Sequence, residues 1–301
     1  MTRRENLQLL SWLGMSTTIP TWILASEPIM KRVIPSSGEQ LPVIGVGTWQ
    51  TFDVGTSPTE RDPLKDVLRQ LVEQQGSVID SSPMYGNAER VIGDLSNAMG
   101  INNKLFMATK VWTSGREAGI RQMENSFSLM QRKQMDLMQI HNLVDWKTHY
   151  KTLQQWKEEK RIRYIGITHY VDSAHDEVAQ IIQNNNIDFI QINYSIANRH
   201  AENNLLQTAI DNKVGVIVNQ PFGGGGLFGR VRGKSLPEWA KEFDCNSWGC
   251  FFLKFILAHP AVTCVIPGTA KRSHMIDNLS AGVGKLPNEK DRKLMIDFMG
   301  T

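Results

Sequence analysis

The sequence predicts one closed (β/α)8 TIM barrel, introduced by a β-hairpin and completed by an extra C-terminal helix, on three observations. First, short apolar runs alternate with longer stretches of helical periodicity from about residue 43 almost to the chain's end. Strands alternating with helices form right-handed βαβ units, and these build a parallel sheet. Second, the chain holds 301 residues, and about 250 suffice for eight units closed on themselves. Third, the alternative, an open doubly wound sheet, wants a glycine-rich phosphate turn directly after its first strand. Gly45-Val46-Gly47-Thr48-Trp49 lacks the third glycine of that fingerprint.

Taken in order, residues 1–26 form a leader distinct from the rest. Arg3 and Arg4 precede a mildly apolar run, diluted by Ser and Thr, that ends near Ala25. This resembles a twin-arginine export signal, with Leu7 at a position that favours an apolar residue and Ile23-Leu24-Ala25 as cleavage site. Asn6 stands where an aromatic is usual. The expectation is export of the folded protein to the periplasm; the alternative is an extra segment on a cytoplasmic protein.

Residues 27–301 are expected as one domain, because no internal repeat or low-complexity linker divides them. Between Lys31 and Val43, the run Pro35-Ser36-Ser37-Gly38 is turn-forming and flanked by strand-like residues, which predicts the hairpin. The candidate barrel strands are Val43–Thr48, Ser77–Ser82, Leu105–Lys110, Met135–His141, Tyr164–Thr168, Phe189–Asn193, Gly215–Gln220 and Val262–Ile266. Helical patterns lie between them at Pro63–Gln75, Ala88–Met99, Arg116–Met130, Thr148–Lys160, Asp176–Asn184 and Glu202–Asn212. Within the fifth, Val178, Ile181 and Ile182 recur at helical spacing. The last helical stretch is Asn288–Met299, close to the end at Thr301.

Composition narrows the function. At 41% hydrophobic and 21% charged the chain is an ordinary globular protein. Net charge is +3 and the basic residues are scattered, so no nucleic-acid partner is expected. No stretch is apolar for long enough to span a membrane. Cys245, Cys250 and Cys264 lack metal-ligand spacing, and no metal is expected. For Cys245 and Cys250 two readings stand: a disulfide in an oxidising compartment, or two free thiols in or near a helix.

In such barrels the reacting groups sit where strands end and on the loops that follow. Asp80 ends the second candidate strand and Tyr85 lies on the next loop. Lys110 ends the third strand, His141 the fourth, and Gln191 lies in the sixth. Charged groups closing apolar runs are costly to desolvate unless they meet a partner. Singly, Asp80 reads as a capping or ion-pair residue, His141 as a core histidine and Lys110 as a solvated strand end. Together they form a set. An ammonium beside an aspartate lowers the pKa of a neighbouring phenol and makes Tyr85 a general acid. A neutral His141 orients a carbonyl oxygen. A proton aimed at a carbonyl is half of a reduction; the other half is a hydride, which implies a nicotinamide.

The segments VGTWQ (46–50), VIDSSPMYGNAE (78–89), MATKVW (107–112), MDLMQIHN (135–142), IGITHY (165–170), QINYS (191–195) and IPGTAKRSHMIDN (266–278) resemble the aldo-keto reductases in order and spacing. The resemblance runs from about Lys31 to the last helix and implies a catalytic tetrad of Asp80, Tyr85, Lys110 and His141. It implies a nicotinamide against Gly47, Thr48 and Trp49, with its amide near Thr168, His169 and Gln191. The family usually has Ser-Asn at Thr168-His169. Where a stacking Tyr is common, this chain has Asn219, then Gln220, Pro221 and Phe222. The run Gly223–Gly226 suits close approach of backbone N–H groups to a pyrophosphate, Gly223 and Gly225 foremost, or simply a mobile loop. Ile266, Gly268, Thr269, His274, Asp277 and Asn278 fall on positions that hold the adenosine half. Gly268 and His274 replace residues often basic in NADPH-specific members. Lys271 and Arg272 offer positive charge nearby, so NADPH is expected, with NADH possible.

Trp49 and Trp112 are expected to wall the pocket of a small carbonyl substrate; as core aromatics they would need no comment. Without a long C-terminal loop, an open site follows. Two functions are carried forward: NAD(P)H-dependent reduction of an aldehyde or ketone, and a slow-turnover nicotinamide-binding redox sensor or accessory subunit. A cofactor-free isomerase leaves the glycine run unexplained. Oligomeric state is not legible.

Overall fold

A computed structural model describes residues 28–301; the twin-arginine pattern and its cleavage site lie outside the described residues. The hairpin comes first. β1 (Lys31–Val33) and β2 (Gln40–Pro42) pair antiparallel, with Lys31 opposite Pro42 and Val33 opposite Gln40. Eight parallel strands follow: β3 (Val46–Gly47), β4 (Val78–Asp80), β5 (Phe106–Val111), β6 (Met135–His141), β7 (Ile162–Thr168), β8 (Phe189–Asn193), β9 (Gly215–Asn219) and β10 (Val262–Val265). They lie side by side in chain order. The Gly45 N–H donates to the Val265 carbonyl and the Val265 N–H to the Val43 carbonyl, both at 2.9 Å, with further bridges at Ile44–Val265 and Gly47–Gly268. The sheet thus closes on itself and leaves no edge to pair elsewhere.

Alternation along each strand divides two cores. Ile79, Met107, Met138, Ile140, Ile165, Ile167, Ile190, Ile192, Val216 and Val218 point outward into the layer shared with the helices. Val78, Phe106, Ala108, Leu137, Tyr164, Phe189, Ile217, Cys264 and Ile266 fill the barrel interior together with Ile34 and Leu41 from the hairpin. The hairpin therefore plugs the end where strands begin. At that end the Tyr164 hydroxyl meets Ser37 (2.8 Å) and donates to Glu39 (2.6 Å), while Asp80, Lys110, Gln139 and Gln191 are buried toward the other end.

The helices are α1 (Pro58–Glu73), α2 (Ala88–Ala98), α3 (Arg116–Leu129), α4 (Trp146–Glu158), α5 (His175–Asn184), α6 (Leu205–Asp211), α7 (Gly226–Arg230), α8 (Trp248–Leu257), α9 (Arg272–Ser280) and α10 (Glu289–Met299). Several depart from the sequence expectation. α1 starts five residues before Pro63, because the Ser57 hydroxyl accepts the Glu60 N–H and Pro58 takes the first helical position. α4 ends before Lys160, whose φ of 58° breaks the helix. α6 is shorter than Glu202–Asn212, since residues 200–203 form a 3-10 turn first. The first barrel strand shrinks to two residues, and Thr48 turns inward instead.

Three helices escaped the periodicity reading. α8 is mostly apolar and buried from Gly249 to Leu257, so it shows no amphipathic stripe. Its Lys254 satisfies itself on the carbonyls of Val283 (2.7 Å) and Lys285 (2.9 Å). α7 and α9 are short. Cys245 and Cys250 are both free and buried, with sulfurs 3.4 Å apart. Among the described residues no helix is long and apolar enough to cross a membrane.

Candidate active site

Strand register brings the inward polar residues to one level. Gly47 lies opposite Asp80, Lys110 opposite Gln139, His141 opposite Thr168, and Thr168 opposite Gln191. Asp80, Lys110, Gln139 and Gln191 each follow an inward residue by two positions, which places them above the apolar filling at the C-terminal mouth.

Asp80 is the hub, only 2% exposed. Its Oδ2 accepts Lys110 Nζ at 2.6 Å, and its Oδ1 accepts Gln139 Nε2 and Gln191 Nε2, each at 2.8 Å. Lys110, fully buried, also donates to the Ser81 carbonyl at 2.6 Å. A buried charge pair persists only with such additional hydrogen bonds. Burial alone would push the Lys110 ammonium down, but Asp80 and Tyr85, by charge and hydrogen bond, carry it above its ordinary value. Lys110 is therefore cationic at neutral pH.

Tyr85 stands on the loop between β4 and α2, with its ring centroid 5.0 Å from Lys110 Nζ. The loop is tied by the Tyr85 N–H to the Ser82 carbonyl (3.0 Å), and by the Asn87 N–H to Asp53 Oδ1 (2.8 Å). Asp53 comes from the loop after β3. The expectation that Lys110 makes the phenol more acidic than usual is corrected here. Burial raises the Tyr85 pKa, the Lys110 charge opposes this, and Asp80 adds to the rise; the net direction is upward. Lys110 moderates the shift without reversing it. Tyr85 is thus a fully protonated donor at neutrality.

His141 meets Tyr85 edge-on, with ring centroids 6.0 Å apart, and Trp112 at 6.3 Å. Burial first, then the charges of Lys110 and His169, lower its pKa to about 3. The ring is neutral. Its Nδ1 lies 3.1 Å from Ser82 Oγ; when that hydroxyl donates, Nε2 carries the proton and serves as a second hydrogen-bond donor in the mouth. Tyr85 O–H and His141 N–H together can hold one oxygen between a proton source and a neutral donor.

The other sequence candidates divide. Thr48 is buried, with Oγ1 donating to the Asp80 carbonyl at 2.9 Å, and Gly47 takes no Cβ because the Ile266 carbonyl would lie 2.8 Å away. Gln191 is turned toward Asp80, and its Oε1 accepts Thr168 Oγ1 at 3.4 Å. His169 is half-buried; its Nδ1 accepts the Tyr170 N–H at 3.1 Å. Trp49 and Trp112 are exposed at the mouth, joined by Met84 and Tyr170. Trp49 is not brought into ring contact with His141, whereas Trp112 is.

Asn219 ends β9 with a buried Oδ1 that has no hydrogen-bond partner. Pro221 is buried, Phe222 packs on Phe228, and Gly223, Gly224 and Gly225 have φ of 56°, 63° and 92°. A Cβ on any of the three meets nothing within 4 Å, so the strip is open. Gly268, Lys271, Arg272 and His274 are exposed around the start of α9, while Ile266 and Asn278 are buried. Thr269 Oγ1 accepts the Lys271 N–H at 3.0 Å, and Asp277 accepts Ser247 Oγ at 2.8 Å. An orphan amide oxygen, an open glycine strip and a basic helix start fit an extended dinucleotide.

Sequence reasoning missed Gln139, Ser82 and Asp53. Gln139 carried a signal: it precedes His141 by two, hence shares its face. Ser82 and Asp53 carried none, since their partners are 59 and 34 residues away.

Comparison with known proteins agrees with this fold. The profile described as "Aldo/keto reductase family" matches residues 43–294. An NADH-specific methylglyoxal reductase of Escherichia coli is 26% identical over 247 residues, covering 70% of this chain and 73% of the relative. A crystal structure of an aldo/keto reductase from Klebsiella pneumoniae, in complex with NADP and acetate, superposes with a TM-score of 0.77 at 22% identity. It covers 90% of this chain and 96% of that one. The holo form of an aldo-keto reductase from Bacillus halodurans gives 0.71 at 21% identity, with the same coverages.

Proposed function

This chain belongs to the aldo/keto reductase family, and from that premise we propose that it reduces a small aldehyde or ketone to an alcohol, with Tyr85 as proton donor. NADPH is the preferred cofactor and NADH a usable one. It supplies the hydride; everything else rests on the protein's own groups. Asn219, the strip Gly223–Gly225 and the residues around α9 hold the dinucleotide, and Gly47, Thr48 and Trp49 border its reactive end. His141, neutral because it is buried beside an ammonium, donates to the substrate oxygen. Tyr85 gives that oxygen its proton as negative charge develops there. Lys110 steadies the resulting phenolate, and Asp80 keeps Lys110 in place. Exposed Trp49, Met84, Trp112 and Tyr170 give the mouth an apolar rim suited to a small organic carbonyl.

The observation that carries this reading is the Asp80–Lys110 pair lying against the Tyr85 ring beside neutral His141. Reduced-cofactor absorbance followed with methylglyoxal and other small aldehydes tests it. Tyr85→Phe is expected to slow turnover by about 10²–10⁴-fold while leaving cofactor affinity in place; an unchanged rate refutes the assignment. Dissociation constants for the two cofactors test the preference, which rests on Lys271 and Arg272. A slow redox sensor is the second reading, favoured by Asn219-Gln220-Pro221-Phe222 at the usual stacking position; tight cofactor binding without turnover of any carbonyl would select it. Export through the twin-arginine route remains a proposal resting on Arg3 and Arg4, and fractionation of cells that express the full chain tests it.

A further inference from the structure

On the same rim, the loop after β7 and the loop after β8 bring together one carboxylate and two imidazoles. Asp172 lies on a 3-10 turn, His175 opens α5, and His200 opens the 3-10 turn before α6. One ligand atom from each lies within 4.8 Å of the others. His175 Nδ1 and His200 Nδ1 face each other at 3.0 Å. We propose that Asp172, His175 and His200 form a binding site for a divalent transition cation of the zinc type, which pins the β7–α5 loop to the β8–α6 loop.

The hydrogen bonds around the cluster fix its chemistry. Asp172 Oδ1, which as a carboxylate only accepts, receives Asn193 Nδ2 at 2.6 Å and Asn198 Nδ2 at 2.9 Å. Asn193 therefore presents its oxygen, not its nitrogen, to His175 Nε2 at 3.0 Å. His175 must carry its proton on Nε2, so its Nδ1 offers a lone pair to the space shared with His200. A metal-binding histidine typically has its second nitrogen held in this way. Two nitrogens on one tetrahedral zinc stand roughly 3.3 Å apart, close to the observed separation. Half-buried Asp172 and exposed His200 leave an entry path from solvent. As the ion enters, the proton between the two nitrogens moves by exchange with solvent from His200 Nδ1 to His200 Nε2, which leaves both Nδ1 lone pairs facing the ion. Two imidazoles and one carboxylate favour zinc, cobalt or nickel over magnesium or calcium.

The test uses the untagged full chain, stripped with a chelator, titrated with Zn2+ by calorimetry and with Co2+ by visible absorption. One equivalent is expected, with ligand-field bands for Co2+. His200→Ala, at an exposed position whose fold is checked by circular dichroism, should lose the saturable event. Asn193→Ala should weaken it by about 10–100-fold. Undiminished affinity in His200→Ala, or a wild-type Kd no tighter than ~1 mM, overturns the proposal. None of these readouts depends on carbonyl reduction, so the two readings fail separately.

Discussion

Asp80 accepts three hydrogen bonds inside the barrel, and only one of them comes from a charged group. Removing Lys110 would leave a carboxylate buried with two amides for company. Lys110→Met is expected to cost roughly 3–5 kcal/mol, measured by denaturant unfolding, and the double variant with Asp80→Asn should recover part of it. The neighbouring imidazole makes a pH prediction. His141 titrates near 3 when folded against about 6.5 in an unfolded chain. The unfolded state therefore binds the proton first, so this contribution is present above pH 6.5 and lost as pH falls toward 3. Between pH 7 and pH 5 it amounts to about 2 kcal/mol. His141→Gln should flatten the unfolding free energy over that interval by this amount; an unchanged slope would show that His141 is not buried neutral.

At the scale of elements, the loop from β4 to α2 decides where the phenol stands. Gly86 has φ of 57°, and a Cβ there would collide with the Asp53 carboxylate. That carboxylate holds the Asn87 N–H two residues past Tyr85. Gly86→Ala adds left-handed strain of about 1–2 kcal/mol and displaces the tether. A shift of Tyr85 by about 1 Å is expected to lower kcat as much as ~100-fold, with cofactor affinity nearly unchanged, as steady-state kinetics beside cofactor titration would show. Cap chemistry explains the misplaced helix ends. Pro63 looked like a start signal, yet Ser57 and Pro58 supply the cap and first turn upstream. α8 was invisible because a helix buried on all sides has no stripe to read.

For the whole molecule, the hairpin makes its contacts at the end of the barrel opposite the polar mouth that holds Asp80, Lys110 and His141. Arg32, from the hairpin that plugs the bottom, donates to the carbonyls of Leu257, His259 and Val262 where α8 ends and β10 begins. Arg32→Ala is therefore expected to destabilise the fold by roughly 1.5–3 kcal/mol while leaving kcat/KM for a small aldehyde within error. A large loss of activity at a temperature where the variant stays folded would contradict that separation.

Periodicity, turn residues and the order of polar strand ends were enough to determine the barrel and its hairpin and to single out the cluster of Asp80, Tyr85, Lys110 and His141. Each is a local property or a count of positions along alternating strands. What required the folded chain was everything set by contact between distant segments. Gln191 reaches Asp80 across 111 residues, Ser82 finds His141, and Asp172 meets two histidines from separate loops. The direction of the Tyr85 shift belongs here too, because the balance between burial and an ammonium depends on how much water packing removes, and no spacing in the chain encodes that.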